Sequence, residues 1–257
     1  MLLNDEKCFF IGNEKEVVFN IEKISNDLIN KMALMRNEIY RLEYKLTKNN
    51  YTINNDIIEE NKEESYDKWN AYSQIKRESN FYCCLSLKSK LNLMGLDYCK
   101  INDPDYEGIS EQEYLKIYAG NDKPESIYEV EECNGKNIIK YSINFPQSRR
   151  RNMALHEHLR WNSHYITEGY IPASKEQIKN EKISGEFTDG QNCKVRKHGC
   201  LTTFEGLKEF REIIALRKNN TIIEDELEKA DVIKYDYQLL DDAYWLLNSN
   251  GYKIIRL

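Results

Sequence analysis

No stretch of this chain approaches the roughly 18 consecutive apolar residues that carry a helix across a bilayer. A membrane partner is therefore not expected. The opening MLLNDEKCFF lacks the basic start and apolar run of a secretory signal, so a cytoplasmic location is expected. An excess of positive charge is also missing: 37 Lys and Arg face 43 Asp and Glu, for a net charge of -6. Neutralising a phosphate backbone normally needs a basic surface, so a nucleic-acid polymer is not expected as partner. There is no glycine-rich phosphate loop and no nucleophile elbow. Neither Cys193, His198 and Cys200 nor His156 and His158 have the spacing of the usual zinc pairs. A metal and a cofactor are thus not expected. Glu157 between His156 and His158 is the one cluster that offers hydrolytic chemistry, and it keeps a hydrolase as an alternative. The seven cysteines are odd in number and include the adjacent pair Cys83 and Cys84, which fits a reducing compartment and not a disulfide framework.

What is present is a charged, moderately apolar chain of 257 residues, long enough for one large domain or two small ones. Residues 1 to 19 carry short apolar runs, CFFIG and EVVF, that read as a strand pair or an N-terminal arm. From Ile21 to Leu46, apolar residues recur every three or four positions and predict a long amphipathic helix. Residues 47 to 65 are rich in Asn and Glu and read as a loop, followed by a packed turn at Trp69, Tyr72 and Ile75. A second helix is expected from about Asn80 to Met94, stopped by Gly95, and then a strand at LDYCKI. Residues 102 to 147 hold three prolines and the run YEVEECNGKNIIKYSI. Its Asn134-Gly135 pair predicts a tight β-hairpin within a connector. Residues 173 to 197 read as a long loop, the segment after HGCL as a turn and helix, and NNTIIEDELEKADVI as an insertion. A last helix from Tyr235 to Asn250 and the strand YKIIRL close the chain.

The stretch ALHEHLRWNSHYITEGY, residues 154 to 170, holds three of the four histidines and one of the three tryptophans. Written as a helix, His158, Trp161, Asn162 and Tyr165 share one face, with Leu155, Leu159 and Ile166 on a neighbouring stripe that can pack. Gly169, with Pro172 beyond it, predicts the end of the helix. Such a face suits a flat polar ligand, and it equally suits a buried helix with satisfied polar groups. Two basic clusters, Arg149 to Arg151 and Lys194 to His198, can hold a small anion or remain a solvated surface.

Two blocks align when their glycines are matched. Asn80, Phe81, Leu91 and Gly95 stand 156 residues before Asp236, Tyr237, Leu247 and Gly251, and each block ends in a strand. Farther upstream, Tyr40 would match Trp161. Two such units would pack about a pseudo-twofold axis and leave a cleft between them.

EHLRWN with EGY after it, HGCL with TTFEGL, then YDYQLL and NGYKII together resemble the ryanodine-receptor-type repeat, or RyR domain. Here His158, Trp161, Gly169, Tyr170, His198, Leu201, Asp236, Gly251 and Tyr252 fill that family's pattern. The segment KWNAYSQIKRESNFYCCLSLKSKLNLMGL is similar to a divergent copy that has no histidine. The resemblance implies an α+β fold, mainly α with short β-strands and a hairpin, built as two pseudo-symmetric RyR-like repeats around a cleft. Residues 1–101 would be the divergent repeat with its N-terminal arm, 102–147 the connector and 148–257 the second repeat. It also implies a non-catalytic protein that binds a nucleotide or a nucleotide-derived signalling molecule, as sensor or sequestering protein, in phage defence or counter-defence. A base would stack on Trp161 and Tyr40. Arg36, Arg149, Arg150 and Arg160 would hold phosphate, and His158, Asn162, Tyr170 and His198 would complete the site. A separate effector protein and a homo-oligomer are compatible with this reading. A structural or protein-interaction module without a small-molecule ligand is the alternative.

Overall fold

The computed structural model describes residues 28–46, 62–120, 128–133, 136–141, 149–187, 190–215 and 232–257. Helix α1, Leu28–Leu46, realises the amphipathic pattern and turns Met32, Ala33 and Ile39 inward. The expected strand pair or arm in residues 1 to 19, and the expected start of this helix at Ile21, lie outside the described residues. Helix α2, Lys62–Ala71, carries Trp69 where the sequence suggested a loop running into a turn. Helix α3, Gln74–Leu85, packs its buried Cys83 and Cys84 toward α1. The expected helix from Asn80 to Met94 is in fact two. Ser86 donates its N–H to the carbonyls of Tyr82 and Cys83 and separates α3 from the short α4, Leu87–Asn92. Gly95, at φ 75°, then turns the chain into strand β1, Leu96–Lys100.

The connector holds helix α5, Glu111–Tyr118, which the sequence reading did not foresee. Its cue is Ser110 followed by Glu113: the Ser110 side chain accepts the Glu113 N–H at 3.2 Å, an N-cap of the kind that Ser-x-x-Glu signals. Tyr114 and Tyr118 are fully buried and donate to the Leu240 carbonyl (2.6 Å) and Asp241 Oδ1 (3.0 Å), tying the connector into the core. Strands β2, Tyr128–Cys133, and β3, Lys136–Tyr141, form the expected antiparallel hairpin with Val130 opposite Ile139. Its Asn134-Gly135 turn lies outside the described residues.

The central helix α6, Arg149–Thr167, ends as expected at Gly169, at φ 81°. Strands β4 (Ile171–Pro172), β5 (Gln191–Asn192) and β6 (Lys197–His198) make a small sheet in the order β4-β6-β5. Between β4 and β5 a helix replaces the expected loop: α7, Lys175–Ser184. It starts at a reciprocal capping box between Ser174 and Gln177 and stops at Gly185, at φ 84°. Helix α8, Leu207–Ala215, follows. The expected last helix breaks at Asp242 into α9, Lys234–Asp241, and α10, Ala243–Ser249. Gly251, at φ 77°, then leads into β7, Tyr252–Arg256.

β1 pairs antiparallel with β7, with Tyr98 opposite Ile254, Leu96 opposite Arg256 and Lys100 opposite Tyr252. Tyr98 and Ile254 are themselves 156 residues apart, so exchanging residues by that offset maps this ladder onto itself, with the Tyr98–Ile254 pair at its centre. The flanking bonds exchange as well: Leu257 N–H to the Gly95 carbonyl (3.0 Å) and Ile101 N–H to the Gly251 carbonyl (2.9 Å). One apolar core fills the space among α1, α3, α4, α5, α9 and α10, with Leu87, Leu91, Leu96, Leu239, Leu246 and Leu247 at its centre. A second core gathers Ile178, Phe204, Leu207, Phe210 and Tyr237. The fold is thus mainly helical with a few short strands in small sheets. Among the described residues no helix is long and apolar enough to cross a membrane.

One sequence expectation is inverted on α6. Leu159 and Ile166 face solvent, at 54% and 55% exposure, while the polar and aromatic face turns inward. Only Leu155 of that stripe packs, against the second core.

Candidate functional site

α6 lies against α9 on one side and α3 on another, so the face bearing His158, Trp161 and Tyr165 is enclosed by the chain. Trp161 is half-buried. Around its ring stand Tyr165 with centroids 4.4 Å apart, His198 at 4.8 Å and nearly perpendicular, and His158 at 6.3 Å and nearly parallel. Tyr170 continues the frame edge-on to Tyr165 at 5.2 Å. The turn at Gly169 aims Tyr170 back along the helix, and the β6 strand presents His198. Ile75 from α3 and Leu201 complete the apolar packing.

The polar groups of this frame are mostly occupied internally. His158 places Nδ1 3.2 Å from Asp236 Oδ2 and Nε2 2.9 Å from the Thr202 carbonyl. The Thr202 carbonyl can only accept, so Nε2 carries hydrogen, and one proton lies between Nδ1 and the Asp236 carboxyl. Burial alone would pull the His158 pKa down, but the hydrogen bond and charge of Asp236, with the Thr202 carbonyl, outweigh it and raise it. Burial raises Asp236 as well, with His158 opposing. The two directions agree that the pair keeps its proton more tightly than the free side chains do. Asn162 donates Nδ2 to the same Thr202 carbonyl at 3.0 Å, while its buried Oδ1 has no partner among the described residues. His198 is the opposite case: burial and then the Lys76 charge pull it down to about 3. It is neutral, accepting the Cys200 N–H on Nδ1 at 3.1 Å.

Next to this frame lies a buried cluster of charge. Glu157 receives Lys90 Nζ at 2.5 Å on one oxygen and Arg160 Nη2 at 2.7 Å on the other, with Arg160 Nε 3.1 Å from both. Burial would raise the Glu157 carboxyl, but the charges of Lys90 and Arg160, with that of Arg36, hold it well below the usual range. Arg36 donates to Asn80 Oδ1 at 2.7 Å and to the Tyr235 carbonyl at 3.3 Å. Lys90 and Arg160 therefore share one carboxylate, and the Arg36 charge acts on it as well. Two buried guanidinium nitrogens, Arg36 Nε and Arg160 Nη1, have no partner among the described residues. The Cys83 thiol beside them is pushed up to about 11 by burial against the opposing Arg36 charge, so it stays protonated and is no nucleophile.

The sequence-predicted residues fall into four places. His158, Trp161, Asn162, Tyr170 and His198 form the aromatic frame. Arg36 and Arg160 belong to the charge cluster. Tyr40, 37% exposed, stacks at a tilt on Tyr235 with centroids 4.2 Å apart, next to the carbonyl that Arg36 holds. Arg149 and Arg150 stand at the far end of α6, eleven or twelve residues from Trp161 and so about 17 Å along the axis. There Arg149 donates to the Ile117 carbonyl at 2.7 Å. Arg150 is buried, grips Asp241 with two bonds (2.9 and 2.6 Å) and covers the Tyr237 ring. The sequence reading missed Lys90, Asp236 as the His158 partner, and Thr202. A lysine inside an apolar helical repeat was the one available sign of Lys90.

Among the described residues no group of three or more His, Cys, Asp or Glu side chains is placed to hold a metal ion. No protein-family model, curated protein or solved structure matches the chain.

Proposed function

We propose that this chain is a non-catalytic binding protein for a nucleotide or nucleotide-derived signalling molecule, held in a cleft between two pseudo-symmetric RyR-like repeats. One observation carries the reading: the half-buried Trp161 is flanked in sequence by Asn162, whose buried Oδ1 has no partner among the described residues, and by Arg160 of a cationic cluster in which two buried guanidinium nitrogens have none. A base gains affinity by stacking on an aromatic face, and a phosphate by charge-assisted bonds to arginine. Tyr40 supplies the second aromatic surface. The two-repeat architecture is supported by the β1–β7 ladder, by the matching breaks at Ser86 and Asp242, and by the left-handed glycines Gly95 and Gly251, all offset by 156 residues. Sensing and sequestering are both served by such a site, with a separate effector protein as the partner of a sensor.

A protein-interaction role is the second reading. Leu159 and Ile166 on α6 and Tyr82 on α3 lie exposed, with Tyr82 against His164 at 5.5 Å. A panel of linear and cyclic nucleotides, read by thermal shift and by mass spectrometry of ligand carried through purification, tests the first reading. Ligand recovered unchanged after long incubation supports binding without turnover, and steady consumption favours a hydrolase. A panel that leaves the melting temperature unmoved favours the interaction module.

A further inference from the structure

Burying Lys90 and Arg160 on one carboxylate, with the Arg36 charge acting on the same group, is costly, because each charge loses hydration and an unpartnered guanidinium N–H loses a hydrogen bond. Packing alone does not ask for it. Lys90 sits five residues before Gly95, and Leu246 sits five residues before Gly251 in the matching helix, fully buried. Where the second half of the fold uses leucine, the first buries an ammonium group on Glu157. The cluster also has a direction. The Arg160 side chain is 18% exposed, against 7% for Lys90 and 3% for Glu157, so Arg160 is its outer member and is adjacent in sequence to Trp161.

We infer, on the ligand-binding reading above, that Arg36, Lys90 and Arg160 form a phosphoryl-binding site entered past Arg160, in which Glu157 holds the three cations together when no ligand is bound. The two buried nitrogens without a partner among the described residues, Arg36 Nε and Arg160 Nη1, take the phosphoryl oxygens. Arg36 comes from α1 and Arg160 from α6, so a bound phosphoryl group links the first half of the chain to the second. Glu157 repels the incoming anion while it keeps the empty site from flying apart, and it sets the affinity from below.

The test uses inorganic pyrophosphate without divalent cations, titrated by calorimetry and thermal shift against sodium chloride of equal ionic strength. Wild-type protein is expected to bind pyrophosphate saturably, Arg160→Gln at least tenfold more weakly, and Glu157→Gln several-fold more tightly. Pyrophosphate that acts no differently from sodium chloride on the wild type overturns the site, and this arm needs no variant to fold. Equal binding by wild type and Arg160→Gln also overturns it, and binding by Glu157→Gln no tighter than wild type overturns the role given to Glu157. Adenosine and guanosine, which carry no phosphate, separate the two readings. A nucleoside bound without pyrophosphate binding removes the phosphoryl site alone, whereas pyrophosphate bound without any nucleoside keeps that site and removes the base-stacking reading.

Discussion

Replacing Glu157 by glutamine keeps the shape of the side chain and removes the one negative charge that faces Lys90 and Arg160 directly. Lys90 and Glu157 are both more than nine-tenths buried, so water does little to screen the cations left behind. Breaking a buried pair from one side costs roughly 3 to 5 kcal/mol, because an uncompensated charge remains inside. For a chain of this size, 1 kcal/mol moves the melting temperature by about 2–4 °C, so a fall of about 6–20 °C is expected. A Lys90→Met change in the same background takes away one of the stranded cations and should recover part of the loss. Urea and thermal unfolding followed by circular dichroism, run as a double-mutant cycle, would measure this coupling. The acid limb supplies a second reading. Glu157 is held below its ordinary range when folded, so its contribution is present above the unfolded value of about 4.3 and is lost as pH falls from there through the folded value. Glu157→Gln should flatten that limb. A loss below about 1 kcal/mol, or an unchanged acid limb, would mean that the cluster is solvated and that the account of its electrostatics is wrong.

For His158 and Asp236, both shifted upward, the folded state holds the shared proton more tightly than the unfolded chain does. The His158 contribution should be complete below about pH 6.5 and fall as pH rises through the folded value, and His158→Gln should abolish that slope in melting temperature. Gly95→Ala and Gly251→Ala meet no atom within 4 Å but keep φ at 75° and 77°, so each should cost the same left-handed strain, about 1–2 kcal/mol, in urea unfolding. Clearly unequal costs would speak against equivalent positions in two repeats. A Cβ at Gly199 would overlap the Phe210 ring and lie 2.9 Å from Ile178 Cδ1. Gly199→Ala should therefore destabilise by about 1–3 kcal/mol, with Phe210→Leu in the same chain restoring part of it.

Elements with a local signal were legible in the sequence. The apolar period marks α1, the Asn-Gly pair marks the β2–β3 hairpin, and the glycines after α4, α6 and α10 mark their ends. The offset of 156 residues marked two equivalent strands, and the structure pairs them with each other, which the sequence reading had not stated. Helices α5 and α7 were missed although Ser110–Glu113 and Ser174–Gln177 are helix-start signatures, since proline and lysine content outweighed them in the reading. On α6 the amphipathic rule pointed the wrong way. Asp236 and Thr202 satisfy the polar face from distant parts of the chain, and a single-helix pattern cannot show that. The partner of Lys90 could not be read for the same reason, Glu157 being 67 residues away. Arg149 to Arg151 looked like an anion site because they are adjacent, but Arg150 is used up on Asp241 and lies far from Trp161.

The claim that Trp161 is a ligand platform is tested most directly by nucleotide affinity and folding stability measured together on wild type, Trp161→Ala and Trp161→Phe. Loss of a base-stacking face is worth roughly 1 to 3 kcal/mol, so calorimetry should show Trp161→Ala binding about tenfold to a hundredfold more weakly. Trp161→Phe should recover much of the affinity. The urea midpoint of Trp161→Ala should fall by less than truncation of a fully buried tryptophan, about 3–5 kcal/mol, would demand, since the ring is only half-buried. Wild type that binds no nucleotide, or a Trp161→Ala protein whose stability collapses while its folded fraction binds normally, would contradict the claim and leave Trp161 as a core residue.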